Sequence, residues 1–120
     1  MSLDRFNPLE TATGVAPFDG PALALDIGTR AEIAAGFLKA LSHEGRLMIL
    51  CHLTEGEKSV TELEGLLGQR QAAVSQQLAR LRLEGLVATR REGKAIFYRL
   101  ADPRVQALLA VLPGVLAAKV

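Results

Sequence analysis

Residues 59–100 read SVTELEGLLGQRQAAVSQQLARLRLEGLVATRREGKAIFYRL, and the spacing of their apolar residues changes part-way along. The first part, residues 59–68, predicts a short helix. Ser59 and Glu62 have the spacing of a capping box, in which each side chain accepts a hydrogen bond from the other residue's backbone N–H. Gly68 then supplies the left-handed conformation that commonly ends a helix.

A second helix is predicted over residues 69–84, directly after that turn. Gly85 is placed to end it, for the same reason as Gly68. The apolar residues of this helix recur at helical spacing, so they are expected to face the core: Val74, Leu78 and Leu81.

Two strand-like runs follow, over residues 86–91 and 95–100. Residues 92–94, Glu-Gly-Lys, separate the two runs, and Gly93 can adopt the positive φ that a tight hairpin turn requires. Two helices joined by a short turn and followed by a hairpin predict a winged helix-turn-helix.

The preceding segments add two more helices. Residues 1–28 hold three of the five prolines and are predicted to form an irregular arm, which leaves residues 29–120 as one domain. A capping-box spacing at Thr29 opens a helix that runs to Leu41. Ser42 is then expected to cap the next helix.

A last helix is predicted to begin at Asp102, with Pro103 in its first position. Pro113–Gly114 should break or kink it. The fold class is therefore mainly α with a small β-hairpin, in the order α-α-α-α-β-β-α.

Composition narrows the class of protein. The 120 residues are 49% hydrophobic, enough for a packed core, and include one cysteine. A single cysteine excludes an internal disulfide framework and a cysteine-cluster zinc site. The first ten residues carry acidic and basic groups without an apolar run, so no secretory signal is expected, and no apolar run is long enough to span a bilayer. We therefore expect a soluble cytoplasmic protein without metal or cofactor.

Charge is unevenly distributed along the chain although the net charge is only +1. Residues 69–99 hold seven basic and two acidic residues, a net charge of +5, and the rest of the chain carries −4. A localised cationic surface is what binding to DNA phosphates requires. An ordinary solvated surface is the alternative interpretation.

The predicted second helix of the motif carries uncharged amides and no acid from residue 69 to residue 83. Glutamine can bond the donor and acceptor of adenine in the major groove. The hairpin tip is expected to lie along phosphates or to enter the minor groove, and a helix N-terminus can bind a phosphate. The residues predicted to contact DNA are Ser59, Thr61, Gln71, Ser75, Gln76, Arg80, Arg90, Arg91 and Lys94.

Several segments in this order resemble the ArsR/SmtB family of bacterial repressors: LKALSHEGRLMILCHL, SVTELEGLLG, AAVSQQLARLRLEGLV and RREGKAIFYRL. The resemblance covers roughly residues 31–105 and is greatest to the BigR/SqrR branch, which responds to sulfide and persulfide. It implies a homodimer, built from the first and last helices, that binds an inverted-repeat operator and is released by an inducer.

The apolar content of the last helix independently favours a dimer, because a small monomer has little room to bury it. The alternative is that this helix folds back onto its own domain. The residues concerned are Leu108, Leu109, Val111, Leu112, Val115 and Leu116.

The resemblance also indicates which inducers the chain can bind, and metal ions are the first class to consider. Metal-binding members use a Cys-x-Cys pair where this chain has Ser59 and Thr61, neither of them a soft-metal ligand. A second metal class uses Asp and His ligands on the last helix. Asp102 matches the first of these ligands, and the other positions hold non-ligating residues: Arg104, Val115 and Ala118.

In the BigR/SqrR branch, two cysteines are linked by oxidation or by polysulfide. Cys51 matches the first, and the second falls near Ala117, so the intramolecular link cannot form here. Three alternatives remain for Cys51. The thiol response is lost because the second cysteine is absent, or Cys51 acts without it, through a persulfide, a sulfenic acid, a mixed disulfide or a link to Cys51 of a second copy, or Cys51 is a small core residue.

Two other functions compete with a DNA-binding repressor. One is a winged-helix module that binds protein and not DNA, which the +5 segment disfavours. The other is an enzyme that uses Cys51 and His52, whose side chains point about 100° apart on a helix and rarely form a nucleophile–base pair. We expect no enzyme activity. The inducer is a sulfane-sulfur compound or an oxidant, or else a compound that does not act on a thiol.

Overall fold

The computed structural model describes residues 20–118, and the side chains from residue 27 onwards. Within that range the chain forms five helices and a three-stranded antiparallel sheet. The helices are α1 (Gly20–Leu41), α2 (Glu44–Leu53), α3 (Val60–Leu67), α4 (Gln71–Leu83) and α5 (Pro103–Ala117), and the strands are β1 (Lys58–Ser59), β2 (Val87–Glu92) and β3 (Ala95–Leu100). This is the winged helix-turn-helix predicted from the sequence, with β2, β3 and the turn between them as the wing.

The core lies where α2, α3, α4 and the start of α5 meet, below the sheet. The inner face of α4 is fully buried at the three predicted positions, and burial of each such side chain contributes about 1.5–3 kcal/mol. The fully buried large residues are Ile49, Leu50, Leu63, Val74, Leu78, Leu81, Leu86 and Val105. This packing fixes the rotation of α4, so its opposite face is held towards solvent.

Local signals account for the turns around α3 and α4. Ser59 Oγ accepts from Glu62 N at 3.1 Å, and Glu62 Oε1 accepts from Ser59 N at 2.8 Å, so the predicted capping box is confirmed. Gly68 ends α3 with a φ of 64°. After α4, Gly85 has a φ of 76°, and Gly85 N and Leu86 N donate to two carbonyls of the last turn, as in a Schellman motif.

The wing is the predicted hairpin, with a tighter turn. Arg90 faces Phe97 across the ladder, Glu92 faces Ala95, and the residues 93–94 form the turn with Gly93 at a φ of 62°. One strand was not predicted. The two-residue β1 pairs with β3, so β3 lies at the centre of the sheet.

The beginning of the chain differs from the prediction. Residues 20–28 are helical, so the predicted irregular arm is wrong for them, while residues 1–19 lie outside the described range. A second helical segment follows a kink at Arg30, close to the helix start predicted at Thr29. Pro21 falls in the first turn of α1, where proline is tolerated. The helix has non-helical backbone angles at Arg30, next to the expected start.

The predicted N-cap of α2 is wrong, and of the break or kink expected at Pro113–Gly114 the break is absent. His43, not Ser42, is the N-cap of α2, because its Nδ1 accepts from Gly45 N at 3.1 Å. The Ser42 hydroxyl instead donates to Lys39 O. The last helix does not end at Pro113 but continues to Ala117, and Val111 in the preceding turn is buried in the core. Its start is as predicted, since Asp102 Oδ1 accepts from Arg104 N at 2.9 Å.

Candidate DNA-binding surface

The solvent side of α4 carries most of the residues predicted to read bases. Gln76 and Arg80 are exposed on this side and Gln71 is exposed at the N-terminal end of α4, and we call these three residues the α4 face. Gln76 and Arg80 are one helical turn apart and so lie side by side. Ser75 is half-buried and lies at the edge of this surface. An ion pair of 3.4 Å with Glu84 leaves the Arg80 side chain 58% exposed, so its charge remains accessible.

Gln77, which the sequence places beside these residues, turns away from them. Its amide packs against α2, where a Cβ on Gly45 would lie 2.5 Å from the amide nitrogen and oxygen. Gln77 Oε1 is buried and has no hydrogen-bond partner among the described residues. Gln77 also lines a groove of about 540 Å³ between α2, α3 and α4. Its role is therefore in packing α4 against α2 and not in the exposed surface.

The N-terminus of α3 offers less to a phosphate than the sequence suggests. The hydroxyl and the backbone N–H of Ser59 are both used within the capping box. The Glu62 carboxylate also lies at this helix end, where its charge repels a phosphate. Thr61 is exposed and remains a candidate.

The two arginines of the wing have different surroundings. Arg90 Nε donates to Glu57 Oε1 at 2.6 Å and Arg90 Nη1 donates to Glu92 Oε1 at 3.2 Å. Its guanidinium carbon lies 4.8 Å from the centroid of the Phe97 ring. Arg91 and Lys94 are exposed, and neither forms an ion pair with any residue between positions 27 and 118. Arg90 is therefore less available to DNA than Arg91 and Lys94.

The ion pairs move pKa values in the directions expected from charge. The hydrogen bond from Arg90 holds the pKa of Glu57 below its usual value, and the charges of Arg90 and Arg99 add to this effect. The hydrogen bond from Arg104 likewise lowers the pKa of Asp102. Arg104 also stacks on Phe37 of α1, with 4.5 Å between guanidinium carbon and ring centroid, so it links α5 to α1.

Cys51 lies half-buried in α2, next to His52. Burial raises the pKa of the Cys51 thiol, which reduces the fraction of nucleophilic thiolate at neutral pH. Between residues 27 and 118, His, Cys, Asp and Glu side chains form no group of three or more that could hold a metal ion. Of the helices that the structure describes, none combines the length and the apolar character of a membrane span.

Glu57 and Phe97 are the functional candidates that the sequence did not identify. Glu57 lies 33 residues from Arg90 along the chain, so no local pattern connects them. Only the strand pairing of β1 with β3, itself unpredicted, brings Glu57 to the wing.

The α4 face and the wing belong to a motif with known relatives. Residues 43–89 match the arsR family of bacterial regulatory proteins. The chain is 44% identical to a biofilm growth-associated repressor of Agrobacterium fabrum over 111 residues, which cover 92% of both chains. The chain belongs to the arsR family. It is therefore an ArsR-family transcriptional regulator, and its relatives are DNA-binding regulators.

Solved structures of ArsR-family relatives have the same fold. The transcriptional repressor BigR from Xylella fastidiosa is 45% identical, with a TM-score of 0.71, over 79% of this chain and 96% of that one. Reduced HlyU from Vibrio cholerae is 40% identical, with a TM-score of 0.70, over 78% and 98%. The resemblance to the BigR branch is confirmed by these matches. HlyU of Vibrio cholerae is named a transcriptional activator, so relatives of similar sequence differ in the direction of regulation.

Proposed function

We propose that the protein is a homodimeric transcriptional repressor that binds double-stranded DNA at an inverted repeat. The α4 face is the observation that carries this proposal. Buried aliphatic residues on one side of α4 hold exposed amides and a guanidinium group on the other, without a carboxylate between residues 69 and 83. Such groups match the hydrogen-bonding edges of bases in the major groove.

Each side chain of the surface has a role that its chemistry suits. Gln71 and Gln76 contact base edges, and Arg80 contacts either guanine or phosphate. Arg91 and Lys94 of the wing bind phosphates, since their charges are exposed and not neutralised by a neighbouring carboxylate. Thr61 adds a phosphate contact at the start of α3.

Exposed aliphatic residues of α1 and α5 support the homodimer. Ile33 is 64% exposed, Val115 55% and Leu116 76%, and we call these three residues the apolar surface. In contrast, Val111 is buried and the half-buried Leu108 and Leu109 pack against the core of their own domain. The two parts of α5 therefore differ. Its first part packs against the core of its own domain, and its exposed last turns contact a second copy of the chain.

The test is fluorescence anisotropy with duplexes from the region upstream of the protein's own gene. A duplex with an inverted repeat should bind more tightly than a shuffled duplex, because two α4 helices reach half-sites about 10 base pairs apart. Affinity should fall steeply between about 50 and 200 mM salt. Absence of salt-dependent binding to every duplex would overturn the proposal and favour the module that binds protein alone.

A response to sulfane sulfur or to oxidants would have to pass through Cys51, because the chain has one cysteine. The raised pKa of this thiol slows such a reaction, which supports the packing role of Cys51. DNA affinity should be measured before and after treatment with each reagent, in the unmodified protein and in Cys51→Ser. Release in the unmodified protein alone assigns the inducer to the thiol. Equal responses in both proteins show that the reagent acts at a group other than the Cys51 thiol.

A further inference from the structure

Arg90 and Arg91 are consecutive in β2, so their side chains leave opposite faces of the wing. Phe97 is the cross-strand partner of Arg90, and the guanidinium group lies over its ring. Two carboxylates, those of Glu57 and Glu92, reach the same guanidinium. Arg91 lies on the other face and has no carboxylate partner in the part of the chain that the structure describes.

Every nitrogen of the Arg90 guanidinium is engaged. Nε and Nη2 both contact Glu57 Oε1, and Nη1 contacts Glu92 Oε1. A DNA phosphate would have to displace a carboxylate to reach this group. The Glu57 and Glu92 carboxylates already hold this guanidinium, and their negative charges repel an approaching phosphate.

The ion pair between Glu57 and Arg90 crosses the sheet. Glu57 directly precedes β1, which is the strand that leads into α3, whereas Arg90 belongs to β2 on the far side of β3. The pair therefore joins the segment that enters the helix-turn-helix to the outer strand of the wing. Such a connection limits how far the wing can tilt relative to α3 and α4.

We propose that Glu57 is a positioning residue for DNA binding, which acts through Arg90 to hold the wing at the angle that brings Arg91 and Lys94 onto phosphates. Arg90 itself is then not a phosphate contact. This inference rests on the proposed function, because it concerns how the wing meets DNA.

The decisive experiment compares Glu57→Gln with Arg90→Gln in anisotropy titrations against the inverted-repeat duplex. The two substitutions change the charge of the protein in opposite directions. If charge alone mattered, Glu57→Gln would strengthen binding and Arg90→Gln would weaken it. If the pair positions the wing, both weaken binding by about threefold to fivefold, the effect of an exposed ion pair. The double variant should bind no more weakly than either single variant.

Arg91→Gln is the matched control, since it removes the neighbouring arginine on the other face of the wing. It should reduce the slope of log affinity against log salt by about 0.9, the value for one phosphate contact. Arg90→Gln should leave that slope unchanged. Urea denaturation of each variant verifies that the fold is retained.

The outcomes separate this inference from the proposed function. Tighter binding by Glu57→Gln, or a reduced salt slope in Arg90→Gln, would overturn the positioning role while leaving DNA binding intact. If the unmodified protein shows no salt-dependent binding to any duplex, the proposed function fails and the positioning role fails with it.

Discussion

The α4 face and the apolar surface are both exposed, yet they differ in what exposure costs. The amides and guanidinium of the α4 face are hydrated and lose little by remaining in water. Exposed aliphatic groups cost about 25 cal/mol for each Å² that a partner could cover. The apolar surface therefore has a driving force for association with a second copy. The α4 face has no such hydrophobic driving force. It binds only a ligand whose polar groups replace its hydrogen bonds to water.

The largest expected effect comes from a charge placed on the apolar surface. Leu116→Glu should prevent dimer formation, because a carboxylate cannot be buried without a partner. A monomer engages one half-site and loses the effective concentration that links the two, so operator affinity should fall by at least about a hundredfold. Sedimentation equilibrium and anisotropy titrations measure the two effects.

Gln106→Glu provides the control for that substitution. It adds the same charge to the same helix, at a position that is already polar and exposed. A dimer that persists in Leu116→Glu, with undiminished DNA binding, would show that the apolar surface is not the interface.

A smaller effect is expected from the α4 face. Gln76→Ala should lower the preference for the operator over a shuffled duplex by about 1–3 kcal/mol, the range for one good base contact. Affinity for the shuffled duplex should hardly change, since no phosphate contact is lost. Gln106→Ala removes an exposed glutamine from α5 and should leave both affinities unaltered. Equal loss on both duplexes in Gln76→Ala would contradict base reading.

The sequence predicted those features that depend on neighbouring residues. The burial of α4 at Val74 and Leu78 follows from helical spacing, and the wing turn follows from the requirement for positive φ at Gly93. The capping box at Ser59 is a pattern of four consecutive residues. In each case the interacting groups are close along the chain, so the residue types and their spacing are sufficient to predict the local structure.

Features that depend on distant residues were missed. The exposed charge expected of Arg90 is neutralised by Glu57, and strand β1, which brings Glu57 there, has only two residues and no periodicity to detect. The helical segment before Arg30 was not predicted because the prolines of residues 1–28 were taken to indicate an irregular arm, although Pro21 is accommodated in a first turn. At the N-cap of α2, His43 and Ser42 are both polar, and only geometry shows that the imidazole makes the bond.

A third prediction concerns the start of α5, the helix whose last turns carry Val115 and Leu116 of the apolar surface. Asp102→Ala should reduce the free energy of unfolding by about 1 kcal/mol, because it removes the N-cap of α5. Asp102→Asn keeps an oxygen acceptor for Arg104 N and removes the charge, so it should lose less. Urea denaturation at neutral pH measures both, and equal losses would assign the effect to the ion pair with Arg104.

The same pair predicts a pH dependence. The pKa of Asp102 is lower in the folded protein than in the unfolded chain, so its ionised form favours folding. This contribution is complete above the unfolded value and is lost as the pH falls through the folded value. Acidification below about pH 4 should thus destabilise the unmodified protein more than Asp102→Asn. Parallel declines of the two proteins would contradict the lowered pKa.

The smallest effect is expected behind the α4 face, at the contact of Gly45 in α2 with Gln77 in α4. In Gly45→Ala the new methyl group would meet the Gln77 amide at 2.5 Å. The amide is the end of a flexible side chain and can rotate away, so the loss of packing offsets the gain of up to about 1 kcal/mol from replacing a helical glycine. In a Gln77→Ala background the obstacle is gone, and Gly45→Ala should become stabilising.

Gly65→Ala is the control, because nothing lies within 4 Å of the new methyl group. It should increase the free energy of unfolding equally in both backgrounds, as measured by urea denaturation. If Gly45→Ala has the same effect with and without Gln77, then α2 does not hold α4 through this contact, and the orientation of the α4 face must come from the buried aliphatic side of the helix alone.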